Sequence, residues 1–129
     1  MIQLYIQRKF AAAHYLPDHP GKCRYTHGHT WKVEVWLEGD VDSKTGMVVD
    51  FGEIKKEIDH LDHTALNVVL PLEFLPPTAE KLVEYFLTNI PLAYRVRVWE
   101  SENAYAEAYA PEEQPLKGFV PGVDYDARL

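Results

Sequence analysis

Across Cys23-Arg24-Tyr25-Thr26-His27-Gly28-His29 the chain sets two imidazoles on alternate residues, with a thiol four positions before the first. In extended backbone, side chains two apart leave from the same face, so His27 and His29 can converge on one cation while Gly28 keeps the position between them clear. A third imidazole, His14, ends the strand-like run from Leu4. Three His ligands with an open fourth position describe a catalytic zinc site better than a structural one. Taken alone, His14 reads as a strand-end histidine bonded to backbone; in combination with His27 and His29 it reads as a ligand. Cys23 as the fourth ligand of a closed site stays open, although the spacing lacks the paired cysteines of structural sites.

Cys23 is the single cysteine of the chain, which rules out an internal disulfide. It reads as a buried small hydrophobe, an incidental surface thiol or a reactive group. Its place just before the His pair favours the last, because a nearby cation stabilises the thiolate. Asp62-His63 forms a second constellation: a carboxylate beside an imidazole can fix its tautomer and support its positive charge. Neighbours on a helix diverge, but this pair falls where a helix is expected to end. His60 competes for the same role and could face a cap, solvent or another subunit. His19, in Asp18-His19-Pro20-Gly21, reads as an exposed turn residue. Glu100 closes the series Tyr94, Val96, Val98, Glu100 on one strand face, where a buried carboxylate would need a nitrogen-rich partner such as adjacent ring and exocyclic N–H groups. Glu102 reads as solvated turn chemistry.

The elements that must position these groups follow from periodicity. Residues 2 to 14 alternate as a strand, 15 to 26 form a loop with Pro17, Pro20 and Gly21, and about 27 to 38 form a second strand. The two make a hairpin whose metal-binding ends meet. His27, His29, Trp31, Val33, Val35 and Leu37 share one face of the second strand. Phe51, Ile54, Ile58 and Leu61 make a helical stripe, with Asp50 and Glu53 as an N-cap and its reciprocal partner. A proline-rich loop over 64 to 77 leads to a helix capped by Thr78 that carries Leu82, Phe86 and Ile90 and ends at Pro91. Residues 94 to 100 and 104 to 109 alternate as the last two strands. The expectation is an α+β domain over residues 1 to 129: a four-stranded antiparallel sheet with two helices on one face, in the order ββααββ. Tyr5, Trp36, Trp99 and Tyr105 fall on the opposite face, where oligomerisation is expected to bury them, the alternative being that the stems of Lys, Arg and Gln cover them in a monomer. The tail after Pro111 has no readable element, though Phe119, Val120, Val123 and Tyr125 give it something to pack with.

The chain has 129 residues with 47% hydrophobic content, enough for one core, and a formal net charge of −7. No basic tract points to nucleic acid, and no run is long enough to span a membrane. The start leads directly into strand alternation instead of a signal peptide, so a cytoplasmic protein is expected. Lys22 and Arg24 could still meet a small anionic substrate.

Phe10-Ala-Ala-Ala-His14, Cys23-x-x-x-His27-Gly-His29, Val49-Asp50-Phe51-Gly52, Leu61-Asp62-His63-x-x-Leu66-Asn67, Pro77-Thr78-Ala79-Glu80 and Val98-Trp99-Glu100-Ser101 occur in an order that resembles the 6-pyruvoyltetrahydropterin synthase family over residues 3 to 110. The close Cys-x-x-x-His-Gly-His spacing is most similar to its 6-carboxytetrahydropterin synthase branch, of queuosine biosynthesis. The resemblance implies a tunnelling fold, a homohexamer built as a dimer of trimers with active sites at subunit boundaries, and zinc on His14, His27 and His29. It also implies Cys23 as catalytic thiolate, Asp62 and His63 in proton transfer, Glu100 as pterin anchor, and Thr78, Glu80 and Ser101 in the substrate pocket. Ala11, Lys81 and Ser101 depart from the commonest family residues, Ser, Asn and Thr.

The implied reaction turns 7,8-dihydroneopterin triphosphate into 6-carboxy-5,6,7,8-tetrahydropterin, acetaldehyde and triphosphate. A 6-pyruvoyltetrahydropterin synthase would eliminate triphosphate and keep the side chain. A zinc hydrolase and a noncatalytic zinc-stabilised interaction domain are the remaining alternatives.

Overall fold

The computed structural model describes residues 1–111. The expected character of the tail after Pro111, and that part of the expected 1–129 domain, lie outside the described residues. Strand β1 (Ile2–His14) pairs antiparallel with β2 (His27–Gly39) along its whole length, from Ile2 opposite Gly39 to His14 opposite His27. The alternation of apolar and polar residues accounts for this register: a slip of one residue would turn Phe10, Trp31, Val33 and Val35 out of the core. Strand β4 (Ala93–Ser101) continues the sheet beyond β2, and β5 (Ala104–Tyr109) closes it.

Helix α1 (Phe51–Asp59) starts at Asp50, whose Oδ1 accepts from the Gly52 amide at 2.7 Å. Glu53 does not return the bond as expected; it meets Lys56 at 3.4 Å instead. Phe51 is also exposed, at 42%, because the first residue of the helix lies beyond the edge of the core, while Ile54, Ile58 and Leu61 are buried. Helix α3 (Ala79–Asn89) is capped by Thr78, whose hydroxyl accepts from the Lys81 amide at 3.1 Å. Ile54 and Ile58 of α1 and Leu82, Val83 and Phe86 of α3 join one core with Ile6, Phe10, Trp31, Val33, Val35, Val96 and Val98. Each large side chain so buried contributes about 1.5–3 kcal/mol, and this layer holds the helices to one face of the sheet.

The expected four-stranded sheet in the order ββααββ requires correction. The described residues form five strands in the order β3-β1-β2-β4-β5, with three α-helices. The stretch read as a bare proline-rich loop contains β3 (Thr64–Ala65) and α2 (Leu66–Val69), so the elements run ββαβααββ. β3 pairs parallel with Ala12 and Ala13. Two residues are too short to show a period, and what selects them is the free edge of β1, whose backbone groups need partners.

The sheet face away from the helices carries the aromatics as expected. Glu34, 8% exposed, accepts from the Tyr5 hydroxyl at 2.5 Å and the Trp99 indole at 2.6 Å. The Arg95 guanidinium lies 3.9 Å from the Trp36 ring centre and Arg97 4.3 Å from that of Tyr105, while both donate to Glu107. Basic stems therefore cover much of this face within one chain, and Tyr5, Tyr105 and Tyr109 stay exposed.

Candidate active site

The hairpin register brings the ends of β1 and β2 together, and with them three imidazoles. Ligand atoms of His14, His27 and His29 all lie within 4.8 Å of one another. Trp31 forms the floor of the group, its ring centre 5.0 Å from that of His14 and 5.3 Å from that of His29, anchored by an indole bond to the Ala12 carbonyl at 3.2 Å. The ring orientations are set by backbone. His14 Nδ1 donates to the Pro77 carbonyl and His27 Nδ1 to the Tyr25 carbonyl, each at 2.7 Å. That tautomer leaves Nε2 of both rings as a lone-pair donor.

Nε2 of His14 and of His29 is buried without a hydrogen-bond partner among the described residues. Buried polar atoms are rarely left so, and two convergent ones fit a cation. Burial holds both His14 and His29 below the ordinary imidazole range, which keeps them neutral, the form that ligates. The donor set therefore fits a metal ion. Cys23 is not a member of this group among the described residues. It is half-buried in the short 3-10 turn Lys22–Arg24, where Lys22 and Arg24 are exposed.

Glu100 extends from the core face of β4 to within 4.0 Å of His14 Nε2. Its side chain is 38% exposed, not buried as expected, because it stands at the end of β4, next to the exposed Ser101. Thr78 and Glu80 stand at the start of α3, directly after the Pro77 carbonyl that orients His14; the Thr78 hydroxyl serves as the helix cap and Glu80 is exposed. Ser101 lies elsewhere. It borders a groove of about 280 Å³ with Lys9, Thr30, Lys32 and Trp99, on the face away from the helices.

Asp62 and His63 do touch. Asp62 Oδ2 accepts from His63 Nδ1 at 2.8 Å, and Asp62 Oδ1 accepts from the Ala11 amide at 2.8 Å. The His63 amide in turn donates to the Ala11 carbonyl at 2.6 Å. This contact between sequence neighbours exists because α1 ends at Asp59 and His63 takes a left-handed backbone conformation, φ 58°. The Ala11 amide first, and then His63, hold the Asp62 carboxyl below the usual range, so it is an anion ready to orient the imidazole. His63 is exposed and borders a groove of about 520 Å³ that also reaches His29 and Thr30. His60 caps the end of α1, and His19 Nδ1 accepts from the Gly21 amide at 2.9 Å in its own turn.

Two residues that orient the imidazoles act through the backbone alone. Pro77 and Tyr25 contribute only carbonyls, which no side-chain pattern displays. Asn67, an amide in the apolar stretch Leu66 to Leu70, was the visible signal: it bonds both the amide and the carbonyl of Tyr15, each at 2.9 Å.

The α+β layer with its imidazole cluster defines the class, and comparison with known proteins narrows it. The family model described as 6-pyruvoyl tetrahydropterin synthase matches residues 3–111. A Synechocystis protein named 6-carboxy-5,6,7,8-tetrahydropterin synthase is 36% identical over 127 residues, covering 88% of this chain and 97% of its own. A human 6-pyruvoyl tetrahydrobiopterin synthase is 32% identical over 97 residues, 64% of this chain and 67% of its own. The solved structure of Caenorhabditis elegans 6-pyruvoyl tetrahydropterin synthase superposes with a TM-score of 0.66 at 25% identity, covering 85% of this chain and 96% of that one. The chain belongs to the 6-pyruvoyl tetrahydropterin synthase family.

Proposed function

We propose that this protein is a zinc-dependent lyase that converts 7,8-dihydroneopterin triphosphate and water into 6-carboxy-5,6,7,8-tetrahydropterin, acetaldehyde and triphosphate. The observation that carries the reading is the pair of partnerless, buried Nε2 atoms of His14 and His29 beside His27, in a chain aligned almost end to end with a 6-carboxy-5,6,7,8-tetrahydropterin synthase.

In this reading His14, His27 and His29 hold the zinc ion, which supplies Lewis acidity toward the vicinal side-chain hydroxyls of the substrate. Glu100 accepts from ring and exocyclic N–H groups of the pterin, with Thr78 and Glu80 bordering the ligand from the same end of the sheet, while Ser101, on the opposite face, would meet a ligand only across a subunit boundary. Cys23, as thiolate, takes a proton from the side-chain carbon next to a hydroxyl. His63, oriented by Asp62, relays a proton back, and triphosphate leaves with the electron pair of its C–O bond. After tautomerisation to two neighbouring carbonyls, water adds to the one next to the ring and the C–C bond between them breaks. Its electron pair takes a proton, so that the carboxylate stays on the pterin and acetaldehyde leaves. No external oxidant is needed, because electrons are only redistributed within the substrate. We place the protein in the cytoplasm, in queuosine biosynthesis. Its homohexamer, a dimer of trimers, would let a neighbouring subunit cover the exposed His63 and complete each site.

The second reading is 6-pyruvoyltetrahydropterin formation, favoured by the names of the human and nematode relatives. Anaerobic incubation of the zinc-loaded protein with dihydroneopterin triphosphate separates the two. Stoichiometric acetaldehyde with triphosphate supports the lyase that cleaves the side chain, triphosphate alone supports the pyruvoyl product, and neither product rejects both.

A further inference from the structure

The hydrogen-bonded ladder between β1 and β2 stops at His14 opposite His27, so Tyr15 is the first residue of β1's continuation with no ladder partner. Its peptide groups are nevertheless both bonded. The Tyr15 amide donates to Asn67 Oδ1 and the Asn67 Nδ2 group donates to the Tyr15 carbonyl, each at 2.9 Å. A carboxamide carries the same donor and acceptor as a peptide, so Asn67 extends the edge pairing that Thr64 and Ala65 make with Ala12 and Ala13. The amide is held at a fixed height because its neighbour Leu66 is fully buried in the core.

The next residue passes this anchorage on. The Leu16 amide donates to the Cys23 carbonyl at 2.8 Å, and the Leu16 carbonyl accepts from the His19 amide at 3.0 Å. The base of the loop between β1 and β2 is thus closed at Leu16, one peptide from the clamp, on the residue that carries the only thiol of the chain. We infer that Asn67 is a positioning residue for the Cys23 thiol: it holds Tyr15, and through Leu16 sets where the Cys23 turn stands relative to the imidazole cluster. A catalytic importance of this placement rests on the reaction proposed above, whereas the placement itself does not.

Two substitutions separate the parts of the clamp. Asn67→Ala removes both bonds, and Asn67→Asp keeps the acceptor for the Tyr15 amide while setting a carboxylate against the Tyr15 carbonyl. Arg8→Ala serves as a control for general loosening of the same edge, since Arg8 ties β1 to Asp59 through two bonds of 2.9 and 2.8 Å without touching Tyr15. The test uses full-length zinc-loaded protein, with zinc content and melting temperature recorded for each variant. Two rates are read: alkylation of Cys23 by iodoacetamide, followed by mass, and turnover.

Freeing a half-buried thiol should raise alkylation roughly fivefold in Asn67→Ala and less in Asn67→Asp, with Arg8→Ala at the wild-type rate. Where wild type turns over, kcat should fall on the order of 10²-fold with KM changed far less. Alkylation that is unchanged or slower in folded Asn67→Ala, or raised equally by Arg8→Ala, overturns the inference. Should Asn67→Ala not fold, Asn67→Asp decides by the same criteria. A wild-type protein without turnover rejects the proposed reaction and leaves the alkylation result to judge Asn67 independently.

Discussion

His14 donates its Nδ1 proton to the Pro77 carbonyl at 2.7 Å, and its buried Nε2 has no hydrogen-bond partner among the described residues. A cation bound to the folded chain and absent from the unfolded one should stabilise it. At a hundredfold excess over the dissociation constant this is worth about 2.7 kcal/mol, a rise in melting temperature on the order of 10 °C. Chelator should reverse the rise, and His14→Ala should abolish it. Equal zinc content in His14→Ala and wild type would remove His14 from the ligand set.

Cys23 lies outside the cluster of three imidazoles, on its own turn. Replacing it should therefore leave zinc binding intact. Cys23→Ala should fold, retain zinc and lose roughly 10²- to 10⁴-fold in kcat. Full turnover in the variant excludes the thiol from proton transfer, and loss of zinc would show that it ligates.

Asp62 tests the edge of β1. Its folded pKa is depressed by the Ala11 amide and by His63, so its contribution to stability is present above the unfolded value near 3.9 and is lost as pH falls through the lower folded value. Asp62→Asn should be less stable than wild type at pH 7, and the gap should close as pH falls below about 4. Urea unfolding at the two pH values measures it. A gap that is constant with pH would mean the carboxylate is not held as an anion by these partners. The same variant should lose activity, since an amide supports the His63 cation poorly.

Glu34 and Tyr5 form a pair on the opposite face. Burial first, and then the bond to Glu34, push the Tyr5 hydroxyl up to about 12. A raised folded pKa gives stability that is complete below the unfolded value near 10 and declines as pH rises toward the folded one. Wild type should therefore lose stability relative to Tyr5→Phe between those limits. Glu34→Leu, which strands the Tyr5 hydroxyl and the Trp99 indole, should cost about 1–3 kcal/mol. Tyrosine absorbance during alkaline titration of Glu34→Leu should show Tyr5 ionising closer to 10; an unmoved transition refutes the coupling.

The strands that carry the imidazoles were legible because their period is local. Alternation from Ile2 to His14 and from His27 to Gly39 marks both the pleat and the core face, and a hairpin of that register puts His14 opposite His27 without further information. Thr78 and Asp50 announced their helices for the same reason, a side chain bonding the backbone a few residues on.

Relations between distant backbone groups were not legible. Asp62 touches His63 because the chain turns through a left-handed residue and is held at Ala11; Thr64 and Ala65 become a strand because β1 has a free edge; Asn67 meets Tyr15 across 52 positions. The chain alone determined which residues could ligate, deliver protons or cap helices, since those capacities belong to side-chain chemistry and spacing. The tertiary structure decided which ring nitrogens stay free and which turns are held, because backbone carbonyls and amides are the same at every position and only folding selects which of them meet.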